Sequence, residues 1–148
     1  MAHEMDDLEY WTGVRSSDYW YNTIQQIGRG GSSHTYQCIR SIERADSSDF
    51  ADGAGNTYVI KFFTSDDPQR EDRFLNEREF LTEAEHPSIL KCYDSHVFDP
   101  NSLNGSYPFY VSEYMPRNLR TIINSKEPTP IPKKISYSIQ LLSALVHL

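Results

Sequence analysis

Two observations predict an α+β domain for this chain. Segments rich in aromatic and β-branched residues alternate with turns rich in glycine, aspartate and serine, which is typical of short antiparallel strands. Apolar residues at helical spacing follow in two later segments, 68–85 and 133–148. The 148 residues are enough for one domain with a hydrophobic core.

Composition and charge exclude several classes of protein. The chain has 14 basic and 21 acidic side chains, a net charge of −7, and no basic stripe, so no nucleic-acid partner is expected. No apolar run is long enough to span a membrane, and the acidic N-terminus lacks the apolar stretch of a signal peptide. Cys38 and Cys92 have no metal-ligand spacing, which predicts no metal site and two free thiols, typical of a cytoplasmic protein.

The chain divides into three parts by its pattern. Residues 1–17 are acidic and predict a flexible leader. Residues 18–115 predict the strands and one helix of a compact domain, with a solvated hairpin tip at 45–56 where Asp, Ser and Gly dominate. Residues 116–148 predict a connection, a short helix at 118–125 and an amphipathic helix at 133–148.

A glycine-rich turn occupies the sequence IGRGGSSHTY, residues 27–36. Glycine permits positive φ and a close approach of the backbone, and a turn of free amides suits phosphate oxygens. The turn lies between two predicted strands and does not open a helix, which argues against a dinucleotide-binding fold, and it has no G-K-[ST] ending of a P-loop. From these residues alone, a plain hairpin turn and a phosphate-binding loop both remain open.

Lys61 stands inside the apolar run Thr57–Phe63. The other residues of this run favour a strand, and the lack of polar alternation predicts burial on both faces. A buried lysine needs a carboxylate or an anionic ligand, unless its ammonium group reaches solvent at the edge of the strand.

Glu77 lies in the middle of the apolar side of the next helix. Asp67 before Pro68 predicts an N-cap and a helix start, and at about 100° per residue Glu77 falls between Phe74 and Leu81. A buried carboxylate needs a cation. Lys61 and Glu77 are therefore expected to form an ion pair.

Five motifs in sequence resemble the small lobe of a protein kinase, over about residues 19–148. They are Gly28-x-Gly30-x-x-Ser33 for the glycine-rich loop, YVIK at 58–61, FLNE at 74–77, HPSIL at 86–90, and YVSEYM at 110–115 for the strand that enters the hinge. The resemblance implies a five-stranded antiparallel sheet with a helix C, followed by the start of a truncated helical large lobe. It also implies a transferase, a serine/threonine kinase by the commoner class, with tyrosine specificity left open.

The same resemblance implies ATP as the ligand. Lys61 would hold the α- and β-phosphates and Glu77 would hold Lys61, which makes these two the expected catalytic residues. The glycine-rich loop would cover the phosphates, Ser112 would be a small gatekeeper, and the backbone of Glu113 and Met115 would bind the adenine edge. The full set implied for the cofactor is Ile27, Gly28, Arg29, Gly30, Gly31, Ser32, Ser33, His34, Thr35, Val59, Lys61, Ser112, Glu113 and Met115.

The chain departs from the kinase pattern at three places. Ser33 replaces the last glycine, Thr35 stands where valine is usual, and no H-R-D-x-x-x-x-N or D-F-G motif occurs. The catalytic base and the Mg²⁺ ligands are therefore expected beyond Leu148, and these 148 residues alone are expected to be inactive. A fragment of a kinase acting on a protein substrate, a shortened relative, a pseudokinase-type binding module and an unrelated interaction domain remain alternatives. The last helix predicts self-association, because its apolar stripe lacks a partner.

Overall fold

The computed structural model describes residues 13–42, 57–99, 106–126 and 128–147. In chain order, the elements within these ranges are β1 (Val14–Arg15), β2 (Trp20–Arg29), β3 (Ser33–Ser41), β4 (Thr57–Phe63), α1 (Pro68–Glu83), β5 (Cys92–Phe98), β6 (Tyr107–Glu113), α2 (Leu119–Asn124) and α3 (Ile131–His147). The hairpin tip at 45–56 and most of the predicted leader lie outside the described residues. The domain boundaries at 17 and 115 stay predictions.

The six strands form one antiparallel sheet in the order β1-β2-β3-β4-β6-β5. The first and last strands of this order, β1 and β5, also contact each other. The sheet therefore curls until its two edges meet, and it is nearly closed into a barrel. Closure of this kind protects the edge strands, which would otherwise present unpaired backbone groups.

The predicted fold class, a kinase-like small lobe with a five-stranded sheet and a helix C before a helical large lobe, is wrong. The finding that overturns it is the sixth strand and the nearly closed, barrel-like sheet that it completes. Val14 and Arg15 pair with Tyr21 and Trp20, and Val14 is fully buried. Two residues are too few to show strand periodicity, so the sequence assigned them to the leader.

The main core fills the inner face of the curled sheet. Tyr21, Ile60, Phe62, Phe109 and Val111 are fully buried there, and the rings of Phe62 and Phe109 lie 5.6 Å apart between centroids. Each such side chain contributes about 1.5–3 kcal/mol through burial. In β4 the inner face is buried and the outer face is half-buried as far as residue 61, so the predicted burial on both faces holds only for part of the strand.

Helix α1 packs on the outer face of the sheet. The Asp67 side chain accepts a hydrogen bond from the Gln69 amide at 3.0 Å and caps the helix, with Pro68 in the first turn as predicted. Phe74 and Leu81 are buried in a second cluster together with Phe63 and Tyr110. These apolar contacts fix the position of the helix backbone on the sheet. They therefore also fix the points from which its polar side chains extend.

Helices α2 and α3 bury none of their residues. Helix α3 contacts the connection between α1 and β5: His86 Nε2 lies 3.0 Å from the Ser143 hydroxyl, and the His86 and His147 ring centroids lie 5.1 Å apart. The stripe of α3 is exposed: Ile131, Ile135, Ile139, Leu142, Leu145 and Val146. In the described part of the chain, no helix is both long and apolar enough to cross a membrane.

The exposed stripe of α3 predicts self-association of the chain. Because six large apolar side chains lie side by side in solvent, the mass measured by light scattering should rise with protein concentration. Leu142→Glu should reduce this rise, since it places a charge in the stripe. Gln140→Glu adds the same charge to the same helix outside the stripe and should not; a monomer at every concentration would contradict the prediction.

Candidate functional site

Strand register brings four residues into one row across the sheet. Gly28 of β2 pairs with Thr35 of β3, Thr35 pairs with Lys61 of β4, and Lys61 pairs with Tyr110 of β6. Side chains directly opposite each other in paired strands point to the same face. The side chains of Thr35, Lys61 and Tyr110 therefore share the outer face, which also carries α1.

The next row of the same face holds further residues predicted to bind the nucleotide. Val59 pairs with Ser112, two residues along the strand from Lys61 and Tyr110, and residues two apart point the same way. Ser112 is 2% exposed. Ile27 lies at an irregularity of the β2–β3 pairing and is exposed, and Met115 follows the end of β6 and is also exposed.

Three other predicted site residues lie elsewhere. His34 is buried and pairs with Phe62, which belongs to the inner core. Arg29 is exposed at the end of β2, and Glu113 pairs with Tyr58 at the end of β6. The side chain of His34 is thus on the opposite face from Lys61.

The predicted ion pair between Lys61 and Glu77 is present. Lys61 Nζ donates to both carboxylate oxygens of Glu77, at 2.9 and 3.0 Å. The two side chains are 24% and 44% exposed, so the expectation of a buried carboxylate is wrong. Helix α1 carries Glu77 to the rim of its buried side, where solvent reaches one flank of the pair.

Tyr110 is a third member of this site, and sequence reasoning missed it. Its hydroxyl donates to Glu77 Oε1 at 2.7 Å, its side chain is buried, and its ring centroid lies 5.6 Å from Lys61 Nζ. Tyr110 thus orients the Glu77 carboxylate through its hydroxyl, and its ring packs beside the Lys61 ammonium group. The feature that reveals Tyr110 is the strand register. Strand β6 pairs with β4 although β5 comes between them in the chain, and this pairing places Tyr110 opposite Lys61.

The environment of Glu77 favours its ionised form. Partial burial raises the pKa of the Glu77 carboxyl, but the hydrogen bonds from Lys61 and Tyr110, with the charge of Lys61, lower it overall below its ordinary 4.5. Burial, together with the hydrogen bond to Glu77 and the negative charge of that carboxylate, raises the pKa of the Tyr110 hydroxyl. Near neutral pH Glu77 is therefore a carboxylate and the Tyr110 hydroxyl is neutral.

The glycine turn, residues 30–32, connects β2 to β3 without positive φ. Gly13, at φ 70°, is the glycine of the described residues that uses this conformation. The Gly30 amide donates to the Ser33 carbonyl at 2.8 Å, and the Ser32 carbonyl accepts from the Thr64 amide at 3.0 Å. One of the amides predicted for phosphate is thus already engaged within the turn.

The close approach of the Arg70 side chain leaves little room for a Cβ atom at Gly31 of the turn. A Cβ atom added at Gly31 would lie 3.3 Å from Arg70 Nη1 of α1, and that nitrogen donates to the Gly31 carbonyl at 3.1 Å. An added Cβ at Gly28 would lie 3.5 Å from Thr35, which is an ordinary contact. The glycine turn therefore sits against the first turns of α1, with the Arg70 guanidinium between them.

A cavity of about 330 Å³ opens between the glycine turn, β4 and α1. Its lining residues are Ser32, Ser33, Lys61, Arg70, Arg73, Phe74 and Glu77. Cations outnumber carboxylates by three to one in this lining, which suits an anionic ligand. Within the described residues, no group of His, Cys, Asp or Glu is arranged to hold a metal ion.

Comparison with known proteins points in one direction. The chain matches no protein-family model. It is 28% identical over 129 residues to proteins named serine/threonine-protein kinase PknK, from two strains of Mycobacterium tuberculosis and one of Mycobacterium bovis. The match covers 84% of this chain and 10% of each relative, so the chain spans about a tenth of their length. This is a distant similarity to a serine/threonine kinase, without catalytic detail.

The depressed pKa of Glu77 predicts a pH-dependent contribution to stability. Because the folded state favours the carboxylate, its contribution is present above about pH 4.5 and is lost as the pH falls through the lower pKa of the folded state. Glu77→Gln should lower the free energy of unfolding at pH 7 by up to about 1 kcal/mol, as for other solvent-accessible ion pairs. Urea unfolding of both proteins from pH 7 to pH 3 should show this difference shrinking below about pH 4.5.

Glu79→Gln is the matched control for this measurement. It removes an exposed carboxylate from the same helix, and no ion pair of Glu79 is found in the described part of the chain. A constant difference between wild type and Glu77→Gln over the whole pH range would contradict the assigned role of the charge.

Proposed function

We propose that this chain binds ATP in the manner of a protein kinase, at the outer face of the sheet beside α1. The observation that carries the proposal is the Lys61–Glu77 ion pair at the edge of a cationic cavity under the glycine turn. A lysine held by a carboxylate and directed at an anion site is the arrangement that positions nucleotide phosphates in kinases. The distant similarity to a serine/threonine kinase supports the same reading.

Lys61 contacts the α- and β-phosphates in this proposal. Glu77 and Tyr110 act on the phosphates only through Lys61, because their hydrogen bonds hold its ammonium group in place. The amides of Gly31 and Ser32 supply further donors, since no hydrogen bond of these amides is found within the described residues. Backbone amides of a turn are well suited to phosphate oxygens.

The adenine ring lies on the neighbouring row of the same face. Thr35 and Val59 contact the ring from the sheet, Ile27 covers it, and Ser112 lies behind it. The backbone of Glu113 and Met115, at the end of β6, binds the adenine edge. This assignment rests on the shared face of Thr35, Val59 and Ser112, and on the similarity of YVSEYM to a kinase hinge.

We further propose that the nucleotide serves phosphoryl transfer to serine or threonine residues of a protein substrate, with Mg²⁺, in the cytoplasm. The name of the mycobacterial relatives supports the reaction, and two unbridged cysteines support the compartment. Residues 1–148 contain neither an H-R-D nor a D-F-G motif. Nucleotide binding is therefore the step that the experiments below measure, and a binding module without transfer is the alternative.

ATP should stabilise the chain through Lys61. A ligand at 100 times its dissociation constant adds about 2.7 kcal/mol to the free energy of unfolding, so excess Mg²⁺ and ATP should raise the thermal midpoint by several degrees. Lys61→Met should abolish most of this rise, because the ammonium group that contacts the phosphates is gone.

Lys91→Met is the matched control for Lys61→Met. Lys91 is exposed on the approach to β5 and does not line the cavity, so this variant should keep the full ATP-dependent rise. Equal rises of the thermal midpoint in wild type and Lys61→Met would show that Lys61 does not contact the phosphates. No rise in any of the three proteins would refute ATP binding.

The small side chain of Ser112 predicts binding of enlarged purines. With a serine behind the adenine, an ATP analogue carrying a benzyl group on N6 should bind within about tenfold of ATP. Ser112→Phe should fill this space and lose the analogue while it keeps ATP. If the wild type rejects the analogue and binds ATP, the assignment of Ser112 behind the adenine is wrong.

A further inference from the structure

The lining of the cavity beside Lys61 contains a cation, Arg73, for which the described residues provide no partner. Lys61 is paired with Glu77, and Arg70 is engaged twice, with Asp67 at 3.3 Å and with the Gly31 carbonyl at 3.1 Å. Arg73 lines the same cavity, yet no ion pair or hydrogen bond of its side chain is found in the described ranges. Among the three cations of this lining, Arg73 is therefore the one whose guanidinium is not already engaged by a protein group of the described residues.

Helix geometry places Arg73 on the side of α1 that faces the glycine turn. Arg70, Arg73 and Glu77 are spaced three and four residues apart, and residues at this spacing lie on one side of a helix. Glu77 at one end of this row meets Lys61, and Arg70 at the other end meets Gly31. Arg73 lies between these two fixed points, and Phe74 beside it is buried and holds the helix in position.

The cavity extends from Lys61 away from the proposed adenine position. Along the outer face, the pair of Val59 and Ser112 comes first, then the pair of Thr35 and Lys61, and then the pair of Ser33 and Phe63. Ser33 lines the cavity and Val59 does not. A nucleotide with its adenine over Val59 and its α- and β-phosphates at Lys61 therefore directs its terminal phosphate further into the cavity, toward Ser33.

We propose that Arg73 binds the terminal phosphate of a nucleoside triphosphate and so makes the site selective for triphosphates over mono- and diphosphates. This inference rests on the proposed ATP site. A guanidinium group presents several N–H donors in a planar fork that matches phosphate oxygens. Arg70 plays a different part: its bond to the Gly31 carbonyl holds the glycine turn at the mouth of the cavity.

The test compares ATP, ADP and AMP, each with excess Mg²⁺, by calorimetric titration of the 148-residue chain. The wild type should bind ATP more tightly than ADP or AMP. Arg73→Gln should weaken ATP binding about tenfold, the size of one solvent-accessible charge-assisted hydrogen bond, and should change AMP binding less than about twofold. The preference for ATP over ADP should largely disappear in this variant.

Arg78→Gln provides the matched control, since Arg78 belongs to the same helix and does not line the cavity. This variant should bind all three nucleotides as the wild type does. Thermal unfolding without nucleotide checks that Arg73→Gln folds, which is expected because Arg73 is exposed.

The outcomes separate this inference from the ATP site itself. An unchanged affinity for ATP in Arg73→Gln, or an equal loss for all three nucleotides, overturns the assignment of Arg73 while the Lys61 site stands. A wild type that binds none of the nucleotides overturns both. A selective loss of ATP in Arg73→Gln, with Arg78→Gln unaffected, establishes Arg73 as the residue that recognises the terminal phosphate.

Discussion

The contact of Lys61 with Glu77 and Tyr110 is the interaction on which the site depends. It joins β4 and α1, which are consecutive in the chain, to β6, which follows only after β5. Its contribution to stability is modest, since solvent reaches both charges and such pairs are worth about 0–1 kcal/mol. Burial of Phe74 contributes more, about 1.5–3 kcal/mol. The burial of Phe74 holds the helix on the sheet, and the hydrogen bonds of Glu77 fix the orientation of the Lys61 side chain.

Local patterns in the sequence predicted much of the site. A lysine inside an apolar strand and a glutamate on the apolar side of the next helix each lacked a partner, and the pair that satisfies both is present. The start of α1 at Pro68 followed from capping chemistry, which is local. Tyr110 escaped prediction because its role comes from the register of β6 against β4, which the pattern of a single strand does not reveal.

The predicted fold class is wrong, although the expected contact of Lys61 with Glu77 is present. The motifs describe the middle of the chain, whereas the closure of the sheet depends on Val14, Arg15 and the contact of β1 with β5. A two-residue strand has no periodicity to detect, and its assignment comes from its pairing with Trp20 and Tyr21 of β2. Val14 is buried with Tyr21 in the inner core. The same Lys–Glu arrangement thus sits on a sheet that is more closed than the sequence implied. Site chemistry and overall architecture are separable pieces of evidence.

Helix α1 couples the two halves of the proposed phosphate site. Glu77 orients Lys61 at one end of the cavity, and Arg70 holds the glycine turn at the other. Both side chains, and Arg73 between them, belong to one rigid helix that Phe74 and Leu81 anchor. A shift of this helix along the sheet would therefore break the contact of Glu77 with Lys61 and that of Arg70 with Gly31 together. The position of the helix depends on the packing of Phe74 against Phe63 and Tyr110, with ring centroids 5.6 and 5.4 Å apart.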